Sequence, residues 1–250
     1  GWLLCSARKQ KGGKRLAAFM ESIFGRVEVL ARGSGYQVYG ASRGEGFDAA
    51  AAREACAVRY QWPLPEDSRP DMASGPGVFS RRALDDGTRV LLVHLEAHAQ
   101  RFGHCTHVVD LCAGAGPLAV GAAHRLPEAQ VLAVDSNLLA VHDMRDNIAR
   151  HGLDGRVHAR LYDGMPPAGV SEGAGFEGKV GLVLMNPPTH APREALATLV
   201  APLRDYLRPS GVVCAVVNRA GTMRGVFQSM GAEGDAYDYP GYTVLEARWP

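Results

Sequence analysis

From residue 106 onward the chain alternates short apolar runs with segments of helical periodicity, and no other feature restricts its fold as much. Strand-like runs fall at 106–111, 130–135, 156–160, 180–185 and 211–218, with a final pair at 233–239 and 242–249. Helical spacing falls at 117–126, 137–151, 193–207 and 221–230. Parallel strands joined by helical crossovers bury both sheet faces. The pattern therefore predicts an α/β domain built on a doubly wound, mostly parallel, seven-stranded sheet. The last pair reads as antiparallel and closes one edge.

The first 70 residues read differently. A strand is expected at 2–7, a basic loop at 8–14, a helix at 15–24 stopped by Gly25, and strands at 27–30 and 36–39 around Gly33-Ser34-Gly35. This βαββ unit is short for an independent domain and reads as an appendage. An Ala-rich helix at 43–58 follows, then an irregular connector marked by Pro63, Pro65, Pro70 and Pro76. A further helix is expected at 90–102, capped upstream by Asp85 or Asp86 with Gly87 and Thr88. The division is thus 1–70 for the small unit with its connector and 71–250 for the main domain.

Composition excludes several classes. With 46% hydrophobic and 21% charged residues over 250 positions, the chain can bury a sizeable core and is not a disordered polymer. It contains no apolar run of about 18 residues, so no membrane-spanning helix is expected. No signal peptide is visible, and the chain opens Gly1-Trp2 without an initiator Met, which suggests that the gene product begins earlier. Five scattered cysteines without a C-x-x-C pair indicate neither a metal site nor a disulfide framework, and point to a reducing cytoplasm. The net charge of +1 conceals an asymmetry: residues 1–32 carry seven basic and two acidic side chains (7 − 2 = +5), leaving 1 − 5 = −4 for the rest. Arg8, Lys9, Lys11 and Lys14 form either a basic handle suited to phosphates or an ordinary solvated loop.

Four motifs carry chemistry. In the first, an apolar strand ends at Asp110 and runs through Leu111, Cys112, Ala113, Gly114, Ala115 and Gly116 into a helix opening at Pro117. Small residues let backbone approach a ligand, beside the free N–H groups of a helix start. Ala119 stands where a dinucleotide fingerprint has its third Gly, and no Gly-Lys-Ser/Thr follows, so neither that motif nor a Walker loop fits. The second motif is Asp135-Ser136-Asn137 at the end of the next strand, 135 − 116 = 19 residues beyond Gly116. An acid there is placed to accept from two ribose hydroxyls, or else caps the following helix. The third is Tyr162-Asp163-Gly164, where Asp163 could accept from an adenine amine or simply form a turn. The fourth is a buried strand running into Asn186-Pro187-Pro188-Thr189-His190. The Asn186 oxygen and the Pro187 carbonyl supply two acceptors for the two hydrogens of a planar amino group. Holding both off the ring plane directs the nitrogen lone pair at an electrophile, through orientation and fixed dipoles.

In this order, the motifs around Asp110–Gly116, Asp135, Asp163 and Asn186-Pro187-Pro188 resemble those of class I S-adenosylmethionine-dependent methyltransferases of Rossmann-like fold. More narrowly, Pro76-Gly77-Val78-Phe79-Ser80 with Leu84-Asp85 and Gly87-Thr88 resembles the segment preceding the catalytic domain of bacterial ribosomal RNA guanine-N2 methyltransferases. The front unit is similar to the end of the degenerate methyltransferase-like domain those enzymes carry. The resemblance implies S-adenosylmethionine as cofactor and RNA, as rRNA or a ribosomal subunit, as partner. Asp110, Cys112, Ala113, Gly114 and Gly116 would then hold the methionine part, Asp135 with Ser136 and Asn137 the ribose, and Tyr162 with Asp163 the adenine. Phe79 and Ser80 would border the cofactor. Asn186 and Pro187 would hold the target amine, with Pro188, Thr189 and His190 facing the substrate.

Cys112 and Ala113 stand where the family has Gly and Cys, and Thr189 stands where it has Phe or Tyr. Thr189 cannot stack on an extruded base, a role left to Tyr60, Trp62 or His190. Two other readings stay open: methylation of a protein amide or small-molecule amine, and a silent RNA-binding module.

Overall fold

The computed structural model describes residues 1–45, 47–60, 71–188 and 190–250. Trp62, the connector prolines 63, 65 and 70, and Thr189 lie outside the described residues. The chain divides into two compact units, Gly1–Cys56 and Ala57–Pro250.

In the first unit, β1 (Trp2–Arg8), α1 (Lys14–Phe24), β2 (Val27–Gly33) and β3 (Tyr36–Ser42) form an antiparallel sheet of order β1-β3-β2 with one helix. Met20 of α1 packs on Tyr39 and Ala41. Gly25, at φ +81°, ends α1 with its N–H on Glu21 O. The segment expected as an open basic loop instead winds into an irregular helical turn at Lys9–Gly13. Gly12 takes the left-handed conformation (φ +92°). Gly13 must be glycine, because a Cβ there would lie 2.7 Å from Tyr39 Oη and 2.9 Å from Arg8 O. The Ala-rich helix α2 is shorter than expected, Ala49–Cys56.

The second unit opens with β4 (Val58–Tyr60) paired to β5 (Met72–Ser74), where the sequence suggests irregular chain. Three-residue strands are too short to display a period. Then come α3 (Asp86–Ala97), α4 (Ala99–Phe102), β6 (His107–Leu111), α5 (Pro117–Arg125), β7 (Gln130–Asp135), α6 (Leu138–Arg150), β8 (Val157–Leu161), β9 (Val180–Met185), α7 (Arg193–Val200), α8 (Leu203–Tyr206), β10 (Leu207–Val217), α9 (Ala220–Ser229), β11 (Glu233–Tyr239) and β12 (Tyr242–Arg248). The seven strands β6–β12 form one sheet of order β11-β12-β10-β9-β6-β7-β8. Its five strands β6–β10 are parallel, and β12 pairs antiparallel with both β10 and β11. Several boundaries differ from expectation, and the helix expected at 90–102 is broken at His98 into α3 and α4. Helix α3 starts at Asp86 rather than 90, because the Asp85 carboxylate caps it by accepting from Thr88 N at 2.9 Å. The helix expected at 193–207 is split at Ala201-Pro202, where proline removes a donor, and Leu207 already belongs to β10.

Both faces of the large sheet are covered, by clusters containing Val108, Leu182 and Leu184 on one side and Val109, Val183 and Met185 on the other. That explains why β9 is a continuous apolar run rather than an alternating one. One ionic network interrupts the core. Glu246 of β12, fully buried, accepts from His94 Nε2 at 2.9 Å and from Arg101 and Arg248 at 2.6 Å each. Burial alone would raise the Glu246 pKa, but the bonds from His94 and Arg101 outweigh it and hold it at about 2. His94 Nδ1 bonds Tyr239 Oη at 2.9 Å, so this network ties α3 to β11 and β12. Among the described residues, no helix is long and apolar enough to cross a membrane.

Candidate active site

Strand β6 is where the winding reverses: the chain proceeds from β6 through β7 to β8 on one side, then returns to place β9 on the other. Ligands of open parallel sheets bind in the crevice beyond the strand ends at such a reversal. Leu111 pairs with Met185, so the residues that follow them, Cys112 and Asn186, emerge side by side. They line a cleft, together with Tyr60, Phe79, Ser80, Asp85, Thr88, Ala113, Gly114 and Pro117.

The loop after β6 is wound tightly. Cys112, Gly114 and Gly116 have φ of +64°, +56° and +87°. A Cβ on Gly116 would meet Met144 Cγ at 2.7 Å, so that glycine serves packing. A Cβ on Gly114 would meet nothing within 4 Å, so that glycine keeps space open. Cys112 and Ser80 (φ +49°) are non-glycine residues in left-handed conformation, and both line the cleft, as strained backbone at binding sites often does.

Three carboxylates converge behind this loop. Asp110 is fully buried. Its Oδ2 accepts from Ala119 N at 2.8 Å, and its Oδ1 has no hydrogen-bond partner among the described residues. Burial pushes its pKa up to about 8, helped by Asp135 and partly offset by the Ala119 N–H. Asp135 accepts from Gly114 N at 2.7 Å and from Asn137 N at 2.8 Å, one bond per oxygen, which leaves a lone pair on each. Cys112 is pushed up to about 12 by burial and then by Asp135, Asp110 and Asp163, so it carries a neutral thiol. Asp163 itself is exposed, Tyr162 is half-buried, and Tyr162 N bonds Asp135 O at 3.1 Å. Asn137, rather than Asp135, caps α6. Its Oδ1 accepts from Leu139 N and its Nδ2 donates to Gly77 O. Ser136 is exposed.

Asn186 is half-buried, and its amide orientation is fixed. Nδ2 donates to Asp85 Oδ2 at 2.7 Å and to Thr88 Oγ1 at 3.0 Å. No donor among the described residues engages Asn186 Oδ1 or the Pro187 carbonyl. Pro187 is buried, whereas Pro188 and His190 are exposed. Arg8, Lys9, Lys11 and Lys14 are exposed on the first unit, and Arg8 stacks over Tyr36 at 5.1 Å while donating to its hydroxyl at 2.9 Å.

Residues 70–246 match the family model described as the methyltransferase small domain. The chain belongs to that family. Among curated relatives, the ribosomal RNA small subunit methyltransferase C of Pseudomonas entomophila is 34% identical over 169 residues, covering 66% of this chain and 46% of that protein. The ribosomal RNA large subunit methyltransferase G of Streptomyces coelicolor is 33% identical over 171 residues, covering 63% of this chain and 42% of that protein. The chain therefore spans less than half the length of these relatives. Among solved structures, a T. thermophilus 16S rRNA N2 methyltransferase in complex with AdoMet and guanosine superposes over 100% of this chain and 65% of its own, with a TM-score of 0.66 at 22% identity. The shared fold is that of a Rossmann-like class I methyltransferase.

Within this methyltransferase domain, the sequence motifs miss the residues that brace the site. Asn147 of α6 is fully buried. Its Oδ1 accepts from Ala73 N at 2.8 Å, and its Nδ2 donates to Ala73 O at 2.8 Å and Ala115 O at 2.9 Å. Asp143, one turn earlier, accepts from Gly75 N at 2.6 Å. With Asn137 on Gly77, one face of α6 clamps the segment leading to Phe79 and ties it to the loop at Ala115. The only sequence signal is polar residues on the face of α6 that also carries Met144 and Ile148.

Proposed function

We propose that this chain carries an S-adenosylmethionine-dependent N-methyltransferase that modifies the exocyclic amine of a guanine in ribosomal RNA. The observation that carries the reading is Asn186 beside the small-residue loop, with its amide NH2 bound and its oxygen free. The names of the rRNA methyltransferase relatives, and the AdoMet and guanosine held by the T. thermophilus protein, support the choice of substrate and cofactor.

The donor set suits the cofactor. Open space over Gly114 admits the methionine part along Cys112, Ala113 and Gly116. The unpartnered Asp110 Oδ1, protonated below about pH 8, offers a polar hydrogen-bonding contact behind it, and the Asp135 oxygens, each fixed by one backbone N–H, retain lone pairs for ribose hydroxyls. In this reading Ser136 and Asn137 shape the ribose end, Tyr162 and Asp163 meet the adenine, and Phe79 and Ser80 border the cofactor. S-adenosylmethionine, when bound, supplies an electrophilic methyl group. Asn186 Oδ1 and the Pro187 carbonyl would accept the two amine hydrogens and aim the nitrogen lone pair at that group; the methylated nitrogen then sheds one proton to water, so no strong base is required. In this reading Pro188 and His190, both exposed, face the base, and Thr189 between them lies outside the described residues. Tyr60, which lines the cleft, supplies the aromatic surface that Thr189 lacks. Arg8, Lys9, Lys11 and Lys14 contact phosphates, and the cytoplasm is the compartment of action.

Labelled methyl transfer from S-adenosylmethionine to small ribosomal subunits, free rRNA, protein extract and metabolites tests the reading. Incorporation into RNA, recovered as N2-methylguanosine and abolished by Asn186→Ala, is expected. Label in protein or metabolites instead, or RNA binding without turnover on any substrate, overturns it.

A further inference from the structure

We propose that Asp85 and Thr88 are positioning residues that lock the Asn186 carboxamide so that its oxygen, rather than its NH2, faces the target amine. The inference rests on the reading of Asn186 given above. An amide can turn end for end at little intrinsic cost, and the turned form would present two donors to an amine that also donates. Something must select one orientation. A carboxylate only accepts, so Asp85 Oδ2 at 2.7 Å admits the NH2 end of Asn186 and repels the oxygen end. Thr88 Oγ1, at 3.0 Å, accepts from the same NH2 group. The negative charge also polarises the amide, which makes Oδ1 a stronger acceptor.

The lock is itself held in place. Asp85 Oδ2 accepts from Thr88 N at 2.9 Å at the start of α3, so one oxygen serves the helix cap and the amide together. Gly87 makes this possible: a Cβ there would lie 3.0 Å from Asp85 Oδ2 and 3.0 Å from Tyr242 Cε1. Thr88 is buried, and α3 is fastened to β12 through His94 and Glu246. Thus Asp85 and Asn186, 101 residues apart, meet because α3 and the end of β9 are both fixed to the sheet.

Two measurements on the full chain test this. The first is the side-chain amide signal of Asn186 in a 15N spectrum, assigned by its loss in Asn186→Ala. Both amide protons should lie away from the free-amide position and exchange slowly, and Asp85→Ser, which keeps a helix cap but cannot reach Asn186, should return them to it. A free-amide signal in the unaltered protein overturns the proposal, whatever the activity. The second measurement is methyl transfer to small ribosomal subunits. Asp85→Ser should lower kcat at least tenfold, with KM for the subunit, calorimetric affinity for S-adenosylmethionine and melting temperature within twofold or 2 °C. Thr88→Val should lower kcat, and Thr88→Ser should restore it. Retained kcat in Asp85→Ser alongside loss in Asn186→Ala overturns the lock and leaves the site reading intact. Unchanged transfer in Asn186→Ala overturns the site reading instead. Equal losses of kcat in Thr88→Ser and Thr88→Val, or an Asp85→Ser loss matched in cofactor affinity or melting temperature, reduce the pair to a structural cap and overturn the proposal.

Discussion

Replacing Asn147 with alanine removes three hydrogen bonds at once and leaves Ala73 N, Ala73 O and Ala115 O without that partner in the interior. Each buried bond contributes about 1 kcal/mol net, so the loss is about 3 kcal/mol before any relaxation. For a unit the size of Ala57–Pro250, 1 kcal/mol moves the melting temperature by about 2–4 °C, which gives a fall of about 6–12 °C. The loss should not be confined to stability. Ala115 belongs to the loop that lines the cleft, and Ala73 leads to Phe79, so affinity for S-adenosylmethionine should drop as well. Asn147→Asp makes a sharper comparison. It can still accept from Ala73 N, but when ionised it turns an oxygen toward two carbonyls. Its folded pKa should therefore lie above its unfolded value. Stability should be best below the unfolded pKa and should fall as pH rises toward the folded one. Calorimetric melting from pH 4 to 8, with titration of the cofactor at pH 7, measures both. A fall of less than about 2 °C for Asn147→Ala with unaltered cofactor affinity would refute the clamp.

Further outcomes are expected at Gly116, Gly114, Asp110 and Glu246. Gly116→Ala should destabilise by about 2–4 kcal/mol, since left-handed strain adds to the contact with Met144, and should lower the melting temperature. Gly114→Ala should cost only the strain, about 1–2 kcal/mol, yet weaken cofactor binding strongly in calorimetry, because its methyl group fills the open space. Asp110 has a folded pKa pushed up to about 8 from an ordinary 3.8, so its contribution is favourable below pH 3.8 and is lost as pH rises through 8. Asp110→Asn should accordingly gain melting temperature over the unaltered protein between pH 4 and 8, and a constant difference across that range would contradict the assignment. Glu246→Ala should lower stability by about 1–3 kcal/mol at pH 7, because it leaves the buried His94 Nε2 without its partner, while Arg101 and Arg248, both more than a third exposed, turn to solvent. Because its folded pKa is about 2 against an ordinary 4.5, Glu246 should also add acid sensitivity as pH falls below 4.5, visible as a shallower acid limb in Glu246→Gln.

The large sheet was legible because β6, β7, β9 and α5 carry long, one-sided or uniformly apolar patterns between clear breaks. Small misreadings came where local chemistry outweighed pattern. Asp85 caps α3 as its sequence position suggests, but the helix runs from that cap rather than from 90; Pro202 splits the helix after β9, and Gly12 with Gly13 coil the basic segment. The strand pair β4–β5 left no trace in the sequence, because its stability comes from Asn147 and Asp143 of α6 rather than from its own three-residue strands.

The sequence by itself determined the alternation that yields a doubly wound sheet, the glycines and carboxylates at its strand ends, and an Asn-Pro-Pro turn able to present two acceptors. These are local properties, written in spacing and residue type. Only the tertiary structure decided that the ends of β6 and β9 stand side by side, that Gly114 faces open space while Gly116 faces Met144, and which end of the Asn186 amide is free. The physical reason is range. A hydrogen bond between residues 74 or 101 positions apart has no periodicity to betray it, and it exists only once the sheet has brought its two partners within 3 Å.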